Sequence, residues 1–321
     1  MKKIRIGVLG CANIAKSSVI PAILLLDDYF ELVAIASRTK EKANKFALEF
    51  GCEAIVGYDK LIAREDIDAI YMPLPTGLHK EWITKILQAR KHIYAEKSLA
   101  LNSDDVKQMI DLARVHDLAL MEGYMFQYHS QHKKVFEMIT DGSIGEIRHF
   151  SASFGFPPLK PENFRYNNEI GGGALMDCAG YVVRSAFFIL QQELQVVASS
   201  VFYDPQTATS LYGSAFMKGK NGIGASLSFG FDNFYQCNYK IWGSKGMLTA
   251  KKAFTPKAEE TVSLFYETQG NVDTIIIPAD NHFVNAFKEF YTICVGDGKE
   301  LHYKSLEQQS KALDAIADLS K

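Results

Sequence analysis

Ile4-Arg5-Ile6-Gly7-Val8-Leu9-Gly10-Cys11-Ala12-Asn13-Ile14-Ala15 is the stretch on which the fold turns. An apolar run, Ile4–Leu9, ends at Gly10, and a segment carrying Ile14, Ile20, Ile23 and Leu24 at helical spacing follows. Strand, tight turn and helix in that order open a βαβ unit. Gly10, Ala12 and Ala15 stand as G-x-A-x-x-A, a small-residue turn that admits a pyrophosphate to the backbone. The free N–H groups and positive dipole end of the following helix favour an anion there. The expected dinucleotide contacts are Gly10, Cys11, Ala12, Asn13 and Ile14; an ordinary tight strand–helix turn is the competing reading.

Outward from this turn, strand and helix signals alternate. Leu32–Ala36 reads as a buried strand, and Ala43, Phe46, Ala47 and Phe50 repeat on one helix face. Ala69–Met72 and His92–Ala95 are short strands separated by a helix with Ile83, Ile86 and Leu87. Val106, Met109, Ile110 and Ala113 mark a further helix, and Leu118–Met121 a further strand. This rhythm implies right-handed crossovers and a parallel sheet covered on both faces. Residues 1–122 are therefore expected to form an α/β, doubly wound Rossmann domain.

From Gly145 the pattern changes. Ile147–Phe154 alternates like a strand with one solvated face, and Phe156-Pro157-Pro158 breaks it. One helix is expected at roughly 173–190, with strand signals elsewhere to about residue 277 and a hairpin at Asn221-Gly222. Phe283, Ala286, Phe287, Phe290, Tyr291 and Cys294 form a helical stripe, and the last 17 residues another helix. Residues 123–321 are read as an α+β substrate-binding and oligomerisation domain with a large, mostly antiparallel sheet.

The chain has 321 residues, 47% of them hydrophobic and 22% charged, with 35 Lys+Arg against 37 Asp+Glu. A net charge of −2 argues against nucleic acid or an anionic membrane as partner. No apolar run reaches about 18 residues, so no membrane span is expected. The start, MKKIRIGVLG, mimics a secretory signal, yet a glycine turn follows without a small-residue cleavage site. Cys11, Cys52, Cys178, Cys237 and Cys294 are odd in number and lack C-x-x-C spacing, so they read as reduced thiols of a cytoplasmic protein. No metal is expected, because the eight histidines are dispersed. Phe216, Leu227, Phe229 and Phe231 suggest an exposed apolar sheet face that pairs copies into a homodimer or homotetramer.

Charge argues for the cofactor. The second strand ends in Ala36-Ser37-Arg38-Thr39, with no acid to bond a ribose 2′-hydroxyl. A guanidinium and a hydroxyl suit a 2′-phosphate, so NADP(H) is preferred, through Ser37 and Arg38. NAD(H) stays open, as does Arg38 being a solvated loop charge. Two more segments lie at strand carboxyl ends, where such folds bind ligands: Tyr71-Met72-Pro73-Leu74-Pro75-Thr76-Gly77-Leu78-His79 and Ala95-Glu96-Lys97-Ser98.

With these, the chain resembles the Gfo/Idh/MocA family of pyridine-nucleotide oxidoreductases. The glycine turn, the Pro73-to-His79 loop and Glu96-Lys97 occur in the family's order, the last resembling its E-K-P motif. Gly142-Ser143-Ile144-Gly145-Glu146-Ile147 resembles its G-x-I-G-x-[IV] entry to the large sheet. Gly171-Gly172-Gly173-Ala174-Leu175-Met176-Asp177 with Tyr181 is similar to its G-G-G-x-L-x-D-x-x-x-[HY] motif, and Gly243-Ser244-Lys245-Gly246 to its late turn. LGCANIA (Leu9–Ala15), FRYNNEIGGGALMD (Phe164–Asp177) and Tyr181 in place of His resemble the sugar-nucleotide 3-ketoreductase branch, with dihydrodiol and aldose dehydrogenases as near relatives. The pattern departs at Ala12, at Ser98 where the family has proline, and at Ala179-Gly180 where its glycine comes one residue earlier.

The resemblance implies a nicotinamide lying against the second domain's sheet, with Pro73, Leu74, Thr76, His79, Glu96 and Lys97 among the cofactor contacts. It implies a catalytic set of Lys97, Tyr181 and Asp177: the phenol gives a proton to the developing alkoxide, and the ammonium stabilises the phenolate and polarises the carbonyl. Asp177 either orients substrate hydroxyls or bonds locally. Arg165 reaches a substrate phosphate, the cofactor amide or a salt-bridge partner. The expected function is an NADP(H)-dependent reductase of a keto-sugar, possibly nucleotide-linked. The alternatives are an NAD(P)-dependent dehydrogenase of a free polyol, aldose or dihydrodiol, and a non-catalytic dinucleotide sensor.

Overall fold

The structure is a computed structural model that describes residues 2–321. They divide into two compact units. One runs to Gly123 and includes Phe283–Gln308; the other comprises Tyr124–His282 and Gln309–Lys321.

The first unit holds a six-stranded sheet of β1 (Ile4–Leu9), β2 (Phe30–Ser37), β3 (Glu53–Val56), β4 (Ala69–Met72), β5 (His92–Ala95) and β6 (Leu120–Glu122). All pairings are parallel, in the order β3-β2-β1-β4-β5-β6. The chain winds outward from β1 to β3, then restarts at β4 on the other side of β1. Crossovers leaving β1 and β4 therefore go to opposite faces, and a crevice opens at their carboxyl ends, the ligand position of doubly wound sheets. The helices are α1 (Ile20–Leu24), α2 (Lys40–Phe50), α3 (Tyr58–Ile62), α4 (His79–Gln88) and α5 (Ser103–Val115). Helix α5 shows why they form where they do. Asn102 Oδ1 caps it by accepting the Asp105 N–H at 2.8 Å, and Asp104 and Asp105 face the dipole's positive end. Val106, Met109, Ile110 and Ala113 are buried on its inner face. The short β3 and α3 escape the sequence reading because β3 is an edge strand only partly buried.

The second unit contains α6 (Gln131–Thr140), β7 (Ile147–Phe156), α7 (Gly180–Leu190), β8 (Gln195–Tyr203), β9 (Ser210–Lys218), β10 (Gly224–Phe231), β11 (Gln236–Gly243), β12 (Met247–Ala250), β13 (Val262–Thr268) and β14 (Asn271–Ile277). The strands make one sheet, β14-β13-β12-β11-β7-β10-β9-β8, antiparallel throughout except for the β7–β10 pair. Asn221 and Gly222, both at positive φ, turn β9 into β10. One face packs Phe150, Phe154, Tyr239 and Ile241 with Val182, Val183 and Ala186 of α7.

The expected exposed apolar face needs correcting. Leu227, Phe229 and Phe231 alternate inward and are buried; Phe216 alone of the four is exposed. The outer face instead carries serines (Ser151, Ser153, Ser214, Ser226, Ser228) with an aromatic fringe of Phe202, Tyr212, Phe216 and Trp242. The helical run Asn168–Leu190 is apolar and long enough to cross a membrane by composition, but 72% of its most apolar 18-residue window is buried inside the protein, as in a core helix.

Two helices finish the chain, α8 (His282–Val295) and α9 (Lys299–Leu319). The sequence reading places both in the second domain. Most of α8 packs in the first unit, where Phe287 stacks on Tyr94 at 4.6 Å and Phe290 on Phe30 at 6.3 Å. Tyr303 of α9 donates a hydrogen bond to the Leu118 carbonyl. The aromatic stripe was legible; the strands it would cover were not.

Candidate functional site

In the first unit, β1 ends where the backbone must bend at once. Gly10 has φ +127° and donates its N–H to Ala36 O at 3.0 Å, tying the turn to β2. A side chain there would be strained, and its Cβ would lie 3.1 Å from Leu74 Cδ2. The helix begins at Asn13, with a π-helical turn over Ala15–Val19. Its first-turn N–H groups have no intrahelical acceptor, so the turn is a cradle suited to a phosphate. Cys11 is half-buried beside Ala36 and Lys42, and burial raises its thiol pKa.

The β2 terminus presents Ser37, buried, and Arg38, exposed. Thr39 N–H approaches Ser37 Oγ at 3.4 Å, and Thr39 stands at the N-cap of α2. Burial raises the Tyr58 phenol pKa, while the Arg38 guanidinium beside it acts the other way. Tyr58 packs edge-on to Trp82 at 5.1 Å. No carboxylate of β2 follows Ile35 before α2 begins.

His79 lies beneath the Pro73–Thr76 loop, fully buried. Its ring nitrogens meet Leu74 O at 2.8 Å and Leu99 O at 3.2 Å. Burial lowers its pKa, against the pull of those carbonyls. His79 thus shapes the loop, as a tie between the segments after β4 and β5. Glu96 Oε1 accepts the Tyr71 hydroxyl at 2.8 Å. Burial first, and then this carboxylate, raise the Tyr71 phenol pKa far above its ordinary value. The Lys97–Ser98 peptide is cis, and Glu122 Oε1 accepts the Leu99 N–H at 2.8 Å. Tyr71 was missed in the sequence, although a tyrosine in an otherwise apolar buried strand signals a polar partner for its hydroxyl.

In the second unit, Asp177 sits in a π-helical turn, Leu175–Ala179, that leads into α7. Such turns recur at functional sites. Arg165 Nε donates to Asp177 Oδ2 at 2.6 Å, with side-chain exposures of 29% and 13%. The three glycines make this possible: Gly173 has φ +105° and donates to Arg165 O at 2.8 Å, and a Cβ on Gly172 would meet Arg165 O and Asn167 O at 2.6 Å. Tyr181 is 6% exposed. Its ring lies 4.5 Å from Phe154, 5.3 Å edge-on from Tyr124, 5.8 Å from Phe254 and 6.1 Å from Phe126, centroid to centroid.

Comparison with known proteins decides the family. A model described as "Oxidoreductase family, NAD-binding Rossmann fold" matches residues 4–124, and the GFO/IDH/MocA C-terminal domain matches residues 132–249. The chain belongs to the Gfo/Idh/MocA oxidoreductases. It is 42% identical, over 90% of its length and 87% of the relative's, to the dTDP-3,4-didehydro-2,6-dideoxy-alpha-D-glucose 3-reductase of Saccharopolyspora spinosa. It is 30% identical, over 84% and 82%, to the D-xylose 1-dehydrogenase (NADP(+)) 2 of Haloferax volcanii. Among solved structures, a 3-ketoreductase from Actinomadura kijaniata in complex with NADP and TDP-benzene matches with TM-score 0.94 and 36% identity, covering 99% of this chain and 98% of that one.

One departure from the Gfo/Idh/MocA pattern has a local explanation. Gly180 abuts Tyr124: any Cβ there would collide with the Tyr124 hydroxyl and lie 2.8 Å from its Cζ. Gln309 Nε2 completes the cluster, donating to Gly180 O at 2.9 Å and to the Tyr124 hydroxyl at 3.3 Å. Among the described residues no cluster of His, Cys, Asp and Glu suits a metal.

Proposed function

We propose that the chain is an NADPH-dependent reductase acting on the ketone of a sugar carried by a nucleoside diphosphate. The observation that carries this reading is the 42% identity, across both units, to a relative named for that activity. Support for the extra phosphate comes from the β2 terminus, where Ala36-Ser37-Arg38-Thr39 offers a hydroxyl and a guanidinium and no acid, the first carboxylate of α2 being Glu41.

Gly10, Cys11, Ala12, Asn13 and Ile14 would hold the pyrophosphate, and Ser37 and Arg38 the 2′-phosphate. Pro73, Leu74 and Thr76, braced by His79, and Glu96 with Lys97 would serve the nicotinamide half. When bound, the dinucleotide supplies hydride. Tyr181 gives the proton of its hydroxyl to the carbonyl oxygen as charge develops there. The Lys97 ammonium favours that developing charge and the phenolate left behind. Glu96, fixed by Tyr71, orients the segment that presents Lys97.

The experiment is a turnover assay of the purified protein. NADPH with a dTDP-linked 3-keto-sugar is set against NADP⁺ with free aldoses, polyols and diols. Activity with only the second pairing would replace the reading with an aldose or polyol dehydrogenase, and binding without turnover would make the chain a sensor.

Two further properties belong to this reading. The outer face of the large sheet, where Phe202 is 43% exposed, Tyr212 45% and Trp242 62%, pairs with a second copy of the chain. Light scattering that returns a monomer mass would reject that. Five free cysteines suit the reducing cytoplasm.

A further inference from the structure

Asp177 and Tyr181 stand four residues apart on one helical segment, so their side chains leave the same flank. The carboxylate on that flank is taken by Arg165, at 2.6 Å from Nε. The arginine is itself fixed on three sides. Its N–H donates to Asn163 Oδ1 at 3.1 Å, its carbonyl accepts the Gly173 N–H, and its guanidinium lies 4.7 Å over the Phe164 ring. The adjoining Tyr166 packs 5.4 Å from Phe231, and Phe231, Phe156 and Phe154 continue ring by ring to Tyr181. The arginine loop and the tyrosine thus share one aromatic layer on the sheet.

Aromatic side chains surround the Tyr181 ring. Phe126, Phe154 and Phe254 offer carbon alone. Tyr124 meets its edge, with Arg184 5.1 Å from the Tyr124 ring. Asp177 and Cys178 precede it on its own segment, and Arg165 comes from the loop. Burial opposes the charge on Arg165, and Asp177 first, then Cys178 and Tyr181, together more than restore it. That support is reciprocal: a guanidinium stabilised by an anion at Tyr181 stabilises the anion equally.

We propose that Arg165, anchored by Asp177, is a positioning residue that holds a fixed positive charge for the Tyr181 phenolate. The inference rests on Tyr181 being the proton donor of the proposed reduction. As the phenol O–H breaks and its proton passes to the alkoxide, negative charge stays on the tyrosine oxygen, and a cation already in place lowers the cost of that step. Asp177 then orients an arginine rather than a substrate hydroxyl.

The test is an ultraviolet titration of the folded, substrate-free protein, with Tyr181→Phe as the blank that identifies the Tyr181 phenolate. In Arg165→Gln its ionisation moves upward by on the order of one pH unit. Arg165→Lys restores most of the shift. The double variant Arg165→Gln/Asp177→Asn stays shifted, because the cation is absent whether or not the carboxylate remains. An unmoved titration in Arg165→Gln, or a return to the wild-type value in the double variant, overturns the proposal; the second result would mean that Arg165 only neutralises Asp177. Circular dichroism screens each variant for folding, and if Arg165→Gln is unfolded, Arg165→Lys against the double variant gives the same comparison. No substrate enters the titration, so it stands or falls apart from the keto-sugar assignment, which the turnover assay judges.

Discussion

Tyr71, buried in the middle of the parallel sheet, donates its hydroxyl hydrogen to Glu96 Oε1 at 2.8 Å. A strand residue thereby fixes the carboxylate that precedes Lys97. Hydrogen bonds to a charged group contribute about 1.5–3 kcal/mol. Tyr71→Phe should therefore lower the unfolding free energy by roughly that amount and raise the KM for NADPH several-fold. Thermal melts and cofactor titration check it; an unchanged KM would show that Glu96 needs no such restraint.

Arg38 is exposed beside Tyr58 and close to Ser37. Losing a charge-assisted contact to a 2′-phosphate weakens binding of the phosphorylated cofactor selectively. Arg38→Ala should raise the Kd for NADPH about tenfold or more and leave that for NADH nearly unchanged. Equal weakening of both would contradict the assignment.

The legibility of the chain follows from range. Strand–helix alternation through Met121, the turn at Gly10 and the Asn221-Gly222 hairpin are local patterns, and the structure has them. The return of Phe287 and Phe290 to Phe30 and Tyr94 is not local, so no period in the sequence announces it. For β10, alternation groups Leu227, Phe229 and Phe231 correctly on one face, yet which face meets helices is decided by α7, more than thirty residues earlier. At the site, residue types were readable at Arg165 and Asp177. Their pairing was not, because it depends on how three glycines fold the intervening loop.

Gly180 should tolerate no side chain. In Gly180→Ala the new methyl runs into Tyr124, and overpacking of this kind costs about 1–3 kcal/mol. Tyr124→Phe in the same chain removes the colliding hydroxyl while leaving ring carbon 2.8 Å away, so stability recovers in part. Denaturant unfolding of the single and double variants tests this; additive losses would contradict it.

Acid should destabilise both units through buried and half-buried histidines. Burial holds His92 at about 4, His132 at about 3 and His282 at about 4. His92 Nδ1 accepts the Ala119 N–H at 2.9 Å and must remain neutral to do so. Because these folded-state values lie below the unfolded value of about 6.5, the unfolded chain binds protons first as pH falls. Stability is thus intact above roughly pH 6.5 and declines toward pH 4, by up to about 3 kcal/mol for His92. His92→Gln should flatten that decline when unfolding is followed from pH 7 to about pH 4; an unchanged slope would exclude His92 from it.

The most direct measurement is single-turnover reduction of a dTDP-linked 3-keto-sugar by NADPH, in wild type, Lys97→Ala and Tyr181→Phe. The account predicts conversion to the corresponding alcohol by the wild type, and a loss of about a hundredfold or more in each variant with NADPH still bound. Full activity in either variant, or no reduction of any nucleotide-linked ketone by a wild-type protein that binds NADPH, would contradict it.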